Sequence, residues 1–449
     1  MGDIEAGQNA NVFLLVGFTV FSCVILHFLY KTIFGAKKKE ALKHEVASNL
    51  DAAVEEASSE TNATEGQSKG KSKKRATWKG KTEFSHPWLL KNLKGHPGAV
   101  LMVDFSSNGK FMAATCDDGS VILWDIRDLN QKEHKTLRVN IEFDHASHVA
   151  WSPDSKAFIV HTVRDNHIVV YKIEKKKDGT IGSATPVIFF DKVHEENVIG
   201  FGISSNGKFM MSCSSKTDMV LWDLKGSQLD KLDTCLMSTH SAKISPCGRF
   251  VVATGFSPDV KVMEVVFAKN GDFKQVTKAF ELSGHSSGIY DVAFDVDTSH
   301  IATISKDGTW KLYHTKIEYT RGESPHVLET GHYTQTANPP RIALSPNAEV
   351  LAVTVDSSIE FYDTYTGILY DTVENIYSGL INDLKFDASG KYLFVCGERA
   401  IRVLHNVCGY FTTIASCNRL LATKQTSATV ERLNKTIQEC KETLSKFGK

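Results

Sequence analysis

Between Phe84 and Val407, short apolar runs alternate with clusters of Gly, Asn, Asp, Ser and Pro, and within each run the apolar residues tend to recur at every second position. That period, interrupted by turn residues every ~8–12 positions, predicts short antiparallel β-strands joined by tight turns. The clearest copy begins at Gly95-His96. It has an apolar strand (AVLMVDF), a Ser-Ser-Asn-Gly turn, a second strand, an Asp118-Gly119 turn, and a third strand closing on Trp124-Asp125. Third strands can be followed along the chain by an aromatic or apolar residue at their end: Trp124, Tyr171, Trp222, Met263, Tyr313, Tyr362 and Leu404, at spacings of 47, 51, 41, 50, 49 and 42. The turn between first and second strands recurs independently, starting at Ser106, Ser152, Ser204, Ser245, Asp295, Ser345 and Asp387. Both markers count seven. A period of ~40–45 residues with Gly-His and Trp-Asp is the pattern of WD repeats, so residues 84–407 are expected to form an all-β, seven-bladed propeller. Such a ring must cover the edge of its last blade. The run Phe84–Leu93 precedes the first Gly-His and is expected to be the outer strand of the seventh blade.

The flanks read differently. Val12–Tyr30 carries no formal charge over 19 residues, close to the ~20 a helix needs to cross a bilayer. An acidic start (Asp3, Glu5) and no small-residue cleavage motif argue for a retained signal anchor rather than a removed signal peptide. Lys31, Lys37, Lys38 and Lys39 follow the span and no Lys or Arg precedes it. The positive-inside rule then leaves residues 1–11 as a short lumenal N-terminus and puts the rest in the cytosol. So short a span suits the thin endoplasmic reticulum bilayer, with the mitochondrial outer membrane as the alternative.

Residues 31–83 have the composition of a charged cytosolic stalk. An acidic block is followed by a basic one: Lys69, Lys71, Lys73, Lys74, Arg75, Lys79 and Lys81, with Trp78 among them. Three readings fit this block: a solvated tether, a contact for anionic lipid or phosphoinositide, or a contact for RNA phosphates with Trp78 stacking on a base. Over the whole chain 52 basic and 52 acidic residues cancel, so any such attraction is local. In the tail, 408–449, Val430, Leu433, Ile437, Cys440, Leu444 and Phe447 are spaced three and four apart, an apolar stripe on one helix. That stripe either docks on the propeller or the preceding helical segment, or it binds a partner or a second copy.

Within the repeats, His96, Asp118 and Trp124, and again His285, Asp307 and Tyr313, are expected to form buried hydrogen-bonded clusters that fix their blades. The other blades are expected to keep only the apolar pattern and the turns. No P-loop, nucleophile elbow or zincin motif is present. His145 and His148 form an H-x-x-H without further ligands at metal spacing. The chain is therefore read as a non-enzyme with no cofactor or metal. Nine cysteines without a C-x-x-C pair read as free, mostly buried thiols of a reducing compartment. Partner recognition is assigned to the start of the innermost strands around the central opening, represented by His148, Tyr290, Asp291, Arg341, Asn382 and Asp383, positions expected to be free of packing.

The combination of an acidic N-terminus, one signal anchor, a charged stalk and seven degenerate repeats, with segments such as HVAWSPDSKAFIV, LWDLKG and SKDGTWKLY, resembles the transducin beta-like protein 2 family. The resemblance implies an endoplasmic reticulum membrane protein without catalytic residues. It also implies a link to the lumenal-stress-sensing kinase that phosphorylates a translation initiation factor, and to translation of a stress-response messenger RNA.

Overall fold

The computed structural model describes residues 84–447. The expected span 12–30 and stalk 31–83, with the basic block Lys69–Lys81, lie outside the described residues. Among those described, no helix is long and apolar enough to cross a membrane.

Twenty-eight strands among the described residues form seven four-stranded antiparallel blades. Their innermost strands are Val100–Phe105, Ala146–Trp151, Val198–Ile203, Thr239–Ile244, Ile289–Phe294, Ile342–Leu344 and Asp383–Phe386, in blades 1 to 7. Each packs on the next, and the seventh packs on the first, so the ring closes. Blades 3 and 4 merge into one sheet through a single parallel pair, Gly200 with Ala242. A Cβ on Gly200 would lie 2.5 Å from the Ala242 Cβ and 2.6 Å from its carbonyl oxygen, so glycine is what permits this approach.

The outer strand of blade 7 is Leu89–Lys94, paired antiparallel with Ala400–His405. Pairing starts later than the Phe84 that the apolar pattern suggested, because the preceding residues are used elsewhere. Phe84 lies under the Arg402 guanidinium, and buried Trp88 meets Phe361 of blade 6 edge to face at 5.5 Å.

Alternation along each strand explains the core. Phe111 and Ala113 face blade 2, while their neighbours Met112, Ala114 and Cys116 face blade 7. Both faces of each blade are thus buried, and the interior is seven apolar wedges, one at each blade boundary. A fully buried Val, Leu or Phe contributes about 1.5–3 kcal/mol, which is why blades that lost their polar motif still hold their place.

The recurrent turn is a hydrogen-bonding device. The first residue's hydroxyl accepts the N–H five residues on: Phe111 to Ser106 (2.9 Å), Ala157 to Ser152 (2.9 Å), Phe209 to Ser204 (3.1 Å), Phe250 to Ser245 (2.9 Å) and Val350 to Ser345 (2.9 Å). Asp387 does the same for Tyr392 at 2.8 Å. In blade 5, Asp295 instead accepts from Ser299, 2.8 Å away. The third strands of blades 2 and 4 run on to Lys175 and Phe267, past Tyr171 and Met263. Long hairpins that turn at Asp178-Gly179 and Asn270-Gly271 extend them.

Two helices follow the ring. Helix α1, Val407–Leu421, starts on Asn406, whose side chain accepts the Gly409 N–H at 3.0 Å. Helix α2, Ser427–Ser445, buries Leu433, Ile437, Cys440 and Leu444. Leu433 and Ile437 pack on Cys417, Ile414 and Leu421 of α1, while Leu444 and Phe447 join the wedge between blades 6 and 7. The apolar stripe is therefore spent on docking.

Candidate functional site

The polar clusters come first, because they decide which residues are free to act. In blade 5 the His285 Nδ1 lies 3.0 Å from Asp307 and its Nε2 2.8 Å from the Thr303 hydroxyl. The Tyr313 hydroxyl donates to the Ser283 carbonyl at 3.0 Å, anchoring the chain ahead of His285. Blade 3 holds a complete network that the sequence reading missed. His194 bonds Asp218 through Nδ1 and Ser212 through Nε2 (2.7 Å), and the Trp222 indole donates to Ser212 at 2.9 Å. No glycine precedes His194, so the Gly-His signal was absent. The spacing of 18 residues from histidine to hydroxyl, shared with blade 5, could have found it.

Blade 1 corrects the sequence expectation in the other direction. His96 stacks near Trp124 with ring centroids 5.3 Å apart, but its Nδ1 meets the Cys116 sulfur at 3.1 Å and not Asp118. Asp118 pairs with Arg138 (2.8 Å) and Ser120 (2.7 Å). The position 18 residues after His96 is Ala114, so the bridging hydroxyl is missing. The His96 Nε2 and Trp124 Nε1 are left buried without partners. Burial, opposed by Asp118, lowers the His96 pKa to about 4.

The innermost strands enclose a central cavity of about 580 Å³ lined by His148, Asp291, Arg341, Asn382 and Asp383, among others. Several of these are not free of packing. The Ile342 N–H of blade 6 donates to Asp291 of blade 5 at 3.1 Å, and the Val103 N–H of blade 1 donates to Asp383 of blade 7 at 3.3 Å. Asp104 takes the Trp151 N–H of blade 2 at 2.7 Å. The Asn382 amide donates to the Val100 carbonyl at 2.8 Å. These carboxylates and this amide pin neighbouring blades together. Lys243 pairs with Asp291 at 3.0 Å, and Lys385 with Asp104. Burial pushes Asp291 up, but Lys243, Arg341 and the Ile342 N–H outweigh it and hold its carboxyl below the usual range. Burial raises Asp383, against the pull of Lys385 and the Val103 N–H. His148, lowered to about 3 by burial with help from His161 and Arg341, bonds Ser147 at 2.8 Å. Tyr290 leans on His240, with ring centroids 5.9 Å apart, and is partly buried. Arg341 uses its backbone N–H on Thr354 at 2.7 Å and leaves its guanidinium toward the cavity.

The same end of the ring presents three apolar side chains that the sequence reading did not single out. Phe143 is 89% exposed, Met237 80% and Phe256 62%. Phe143 and Met237 lie in the turns that lead into the innermost strands starting at Ala146 and Thr239, and hold φ values of 60° and 62°, a region bulky residues avoid. The Phe256 N–H donates to the Ser238 carbonyl at 3.1 Å, next to Met237. Alternation cannot reveal such residues, because a hydrophobe between turn residues looks like the edge of a strand. Eight described cysteines are free; only Cys235 and Cys247 are exposed.

Comparison with known proteins agrees with this architecture. The family described as WD domain, G-beta repeat matches residues 87–125 and 276–314, which hold the two Gly-His blades. Transducin beta-like protein 2 of Homo sapiens is 41% identical over 367 residues, covering 81% of this chain and 82% of its own. The Mus musculus protein of the same name is 40% identical over 366 residues, covering 81% and 83%. A WD repeat-containing protein WDS homolog of Arabidopsis thaliana is 23% identical over 278 residues, covering 52% and 51%.

Proposed function

The chain belongs to the transducin beta-like protein 2 family, and from that premise we propose that it is a protein-interaction scaffold tethered to the endoplasmic reticulum membrane with its propeller in the cytosol, acting as an adaptor in the translational stress response. The observation that carries the scaffold reading is the pair of bulky residues, Phe143 and Met237, exposed at positive φ on one end of a rigid ring. Backbone strain of this kind costs about 1–3 kcal/mol per residue and persists where function needs it. Aromatics and arginine, here exposed Phe143 and Phe256 and half-buried Tyr290 and Arg341, are residue types that anchor interfaces. No enzyme family is indicated by the matching repeat family or by these relatives. The uncharged run 12–30 and the lysines after it support the tether and its orientation. The family resemblance supports the stress-response role and a stress-sensing kinase as partner.

Proximity labelling from the full chain in cells tests the reading. A chain with Phe143→Ser, Met237→Ser, Tyr290→Ala and Arg341→Ala should lose most cytosolic protein neighbours while keeping its melting temperature. If neighbours persist there and vanish when Lys69–Lys81 are neutralised, binding belongs to the stalk, and RNA or lipid contact replaces the propeller face.

A further inference from the structure

Blade 5 carries three histidines in one row. His300, His314 and His326 are direct cross-strand partners on three adjacent strands: His300 pairs with His314, and His314 with His326. Directly paired residues point to the same side of a sheet, and the rings meet: centroids are 5.5 Å apart for His300–His314 and 5.4 Å for His314–His326. The row reaches solvent, with His300 and His314 half-buried and His326 exposed. Nothing in the propeller architecture calls for three adjacent imidazoles there.

We propose that this row is a binding site for a divalent transition-metal ion, chelated by His314 and His300. Two imidazoles on one tetrahedral ion, at metal–nitrogen distances of about 2.0–2.1 Å, put their ring centroids roughly 5.2 Å apart. The observed spacing is already within a few tenths of that. His300 is oriented as metal-ligating histidines are. Its Nδ1 faces the Asp295 carboxylate at 2.9 Å, and a carboxylate can only accept, so the proton sits on Nδ1. Nε2 is then the nitrogen left to ligate, and among the described residues it makes no hydrogen bond. A carboxylate behind the imidazole is the usual support for a ligating histidine. His314 is the direct cross-strand partner of His300 and is half-buried beside it.

The chemistry selects the ion class. Imidazole nitrogen suits zinc, copper and nickel rather than calcium or magnesium. Among the described residues no three His, Cys, Asp or Glu side chains group to enclose an ion. The site therefore supplies two protein ligands and leaves the remaining positions to water. His326 lies on the far side of His314 and is not a ligand of the pair.

Calorimetric titration of the full chain with zinc chloride at neutral pH tests this. His314→Gln and His300→Gln should each weaken the zinc site by more than about tenfold, and Asp295→Asn by about tenfold through loss of the supporting carboxylate. His326→Gln and the distant His145→Gln should leave it unchanged. Because Asp295 also holds a turn, melting curves without zinc accompany each variant, and the two histidine variants carry the decision. With copper, electron paramagnetic resonance of the wild-type chain should show two nitrogen ligands, reduced to one in His300→Gln. Zinc binding that survives both His314→Gln and His300→Gln, or is lost only in His326→Gln, overturns the assignment.

Discussion

The clearest residue-scale contrast is the hydroxyl 18 positions after each blade histidine. Ser212 and Thr303 bridge their histidines, and Ala114 cannot. Ala114→Ser should satisfy two buried groups at once and raise stability by about 1 kcal/mol, read as a higher melting temperature. Asp307→Ala removes a partner from buried His285 and should cost about 1–3 kcal/mol. Asp118→Ala should cost less, because Asp118 does not hold His96: it breaks a half-exposed contact with Arg138 and one hydrogen bond from Ser120. Equal losses in the two variants would contradict these geometries. Buried histidines also set a pH dependence. Burial lowers His96 and His161 to about 4 and His148 to about 3, from 6.5. The unfolded chain gains these protons as pH drops below 6.5, and the folded chain does so only near 4 at His96 and His161 and near 3 at His148. The stability they confer is thus whole above about pH 6.5 and is lost as pH falls toward 4. Denaturant titrations across that window should show the midpoint falling, and a midpoint rising on acidification would reverse the assignment.

At the scale of elements, closure depends on pieces outside the repeats. Trp88 fills the boundary between blades 6 and 7, where α1 and the end of α2 also pack. Trp88→Ala should cost about 3–5 kcal/mol and expose the last blade first, seen as early hydrogen exchange in Ala400–His405. Ile437→Asp puts a charge into the α1–α2 contact. It should release α2 to exchange while the seven blades remain protected, since only helix residues share that cluster. Cooperative loss of the whole ring would mean that α2 is integral to the fold.

For the whole molecule, topology decides what the exposed face can meet. With the propeller in the cytosol, protease added to sealed microsomes should digest it, and Asn62 should carry no glycan although Asn62-Ala-Thr64 is a sequon. Protection of the propeller would invert the orientation and remove every cytosolic partner from consideration.

Strand alternation and the seven turn markers were legible along the chain, because each rests on contacts between residues close in sequence or on a strict period of two; the clasp, which pairs Leu89–Lys94 with Ala400–His405, was legible only through the need of a ring to cover its last edge. The apolar stripe of α2 was legible too, with the preceding helical segment and the propeller as alternative mates to self-association or a partner; the structure uses both of the first two. The candidate site was only half legible. Asp291, Asn382 and Asp383 read as free face residues, yet the structure spends them on N–H and carbonyl groups of the next blade, in two cases some 280 positions away in sequence. The network at His194 was hidden for want of a glycine, and the loss in blade 1 came from one alanine behind a complete Gly-His and Trp-Asp. By itself, then, the sequence determined the repeat, its count and its buried faces, because local hydrogen bonds and burial act residue by residue. Tertiary structure alone decided which polar side chains lock blades together, which three imidazoles share a row, and which hydrophobes stand in water at a strained backbone, because those depend on register between distant strands.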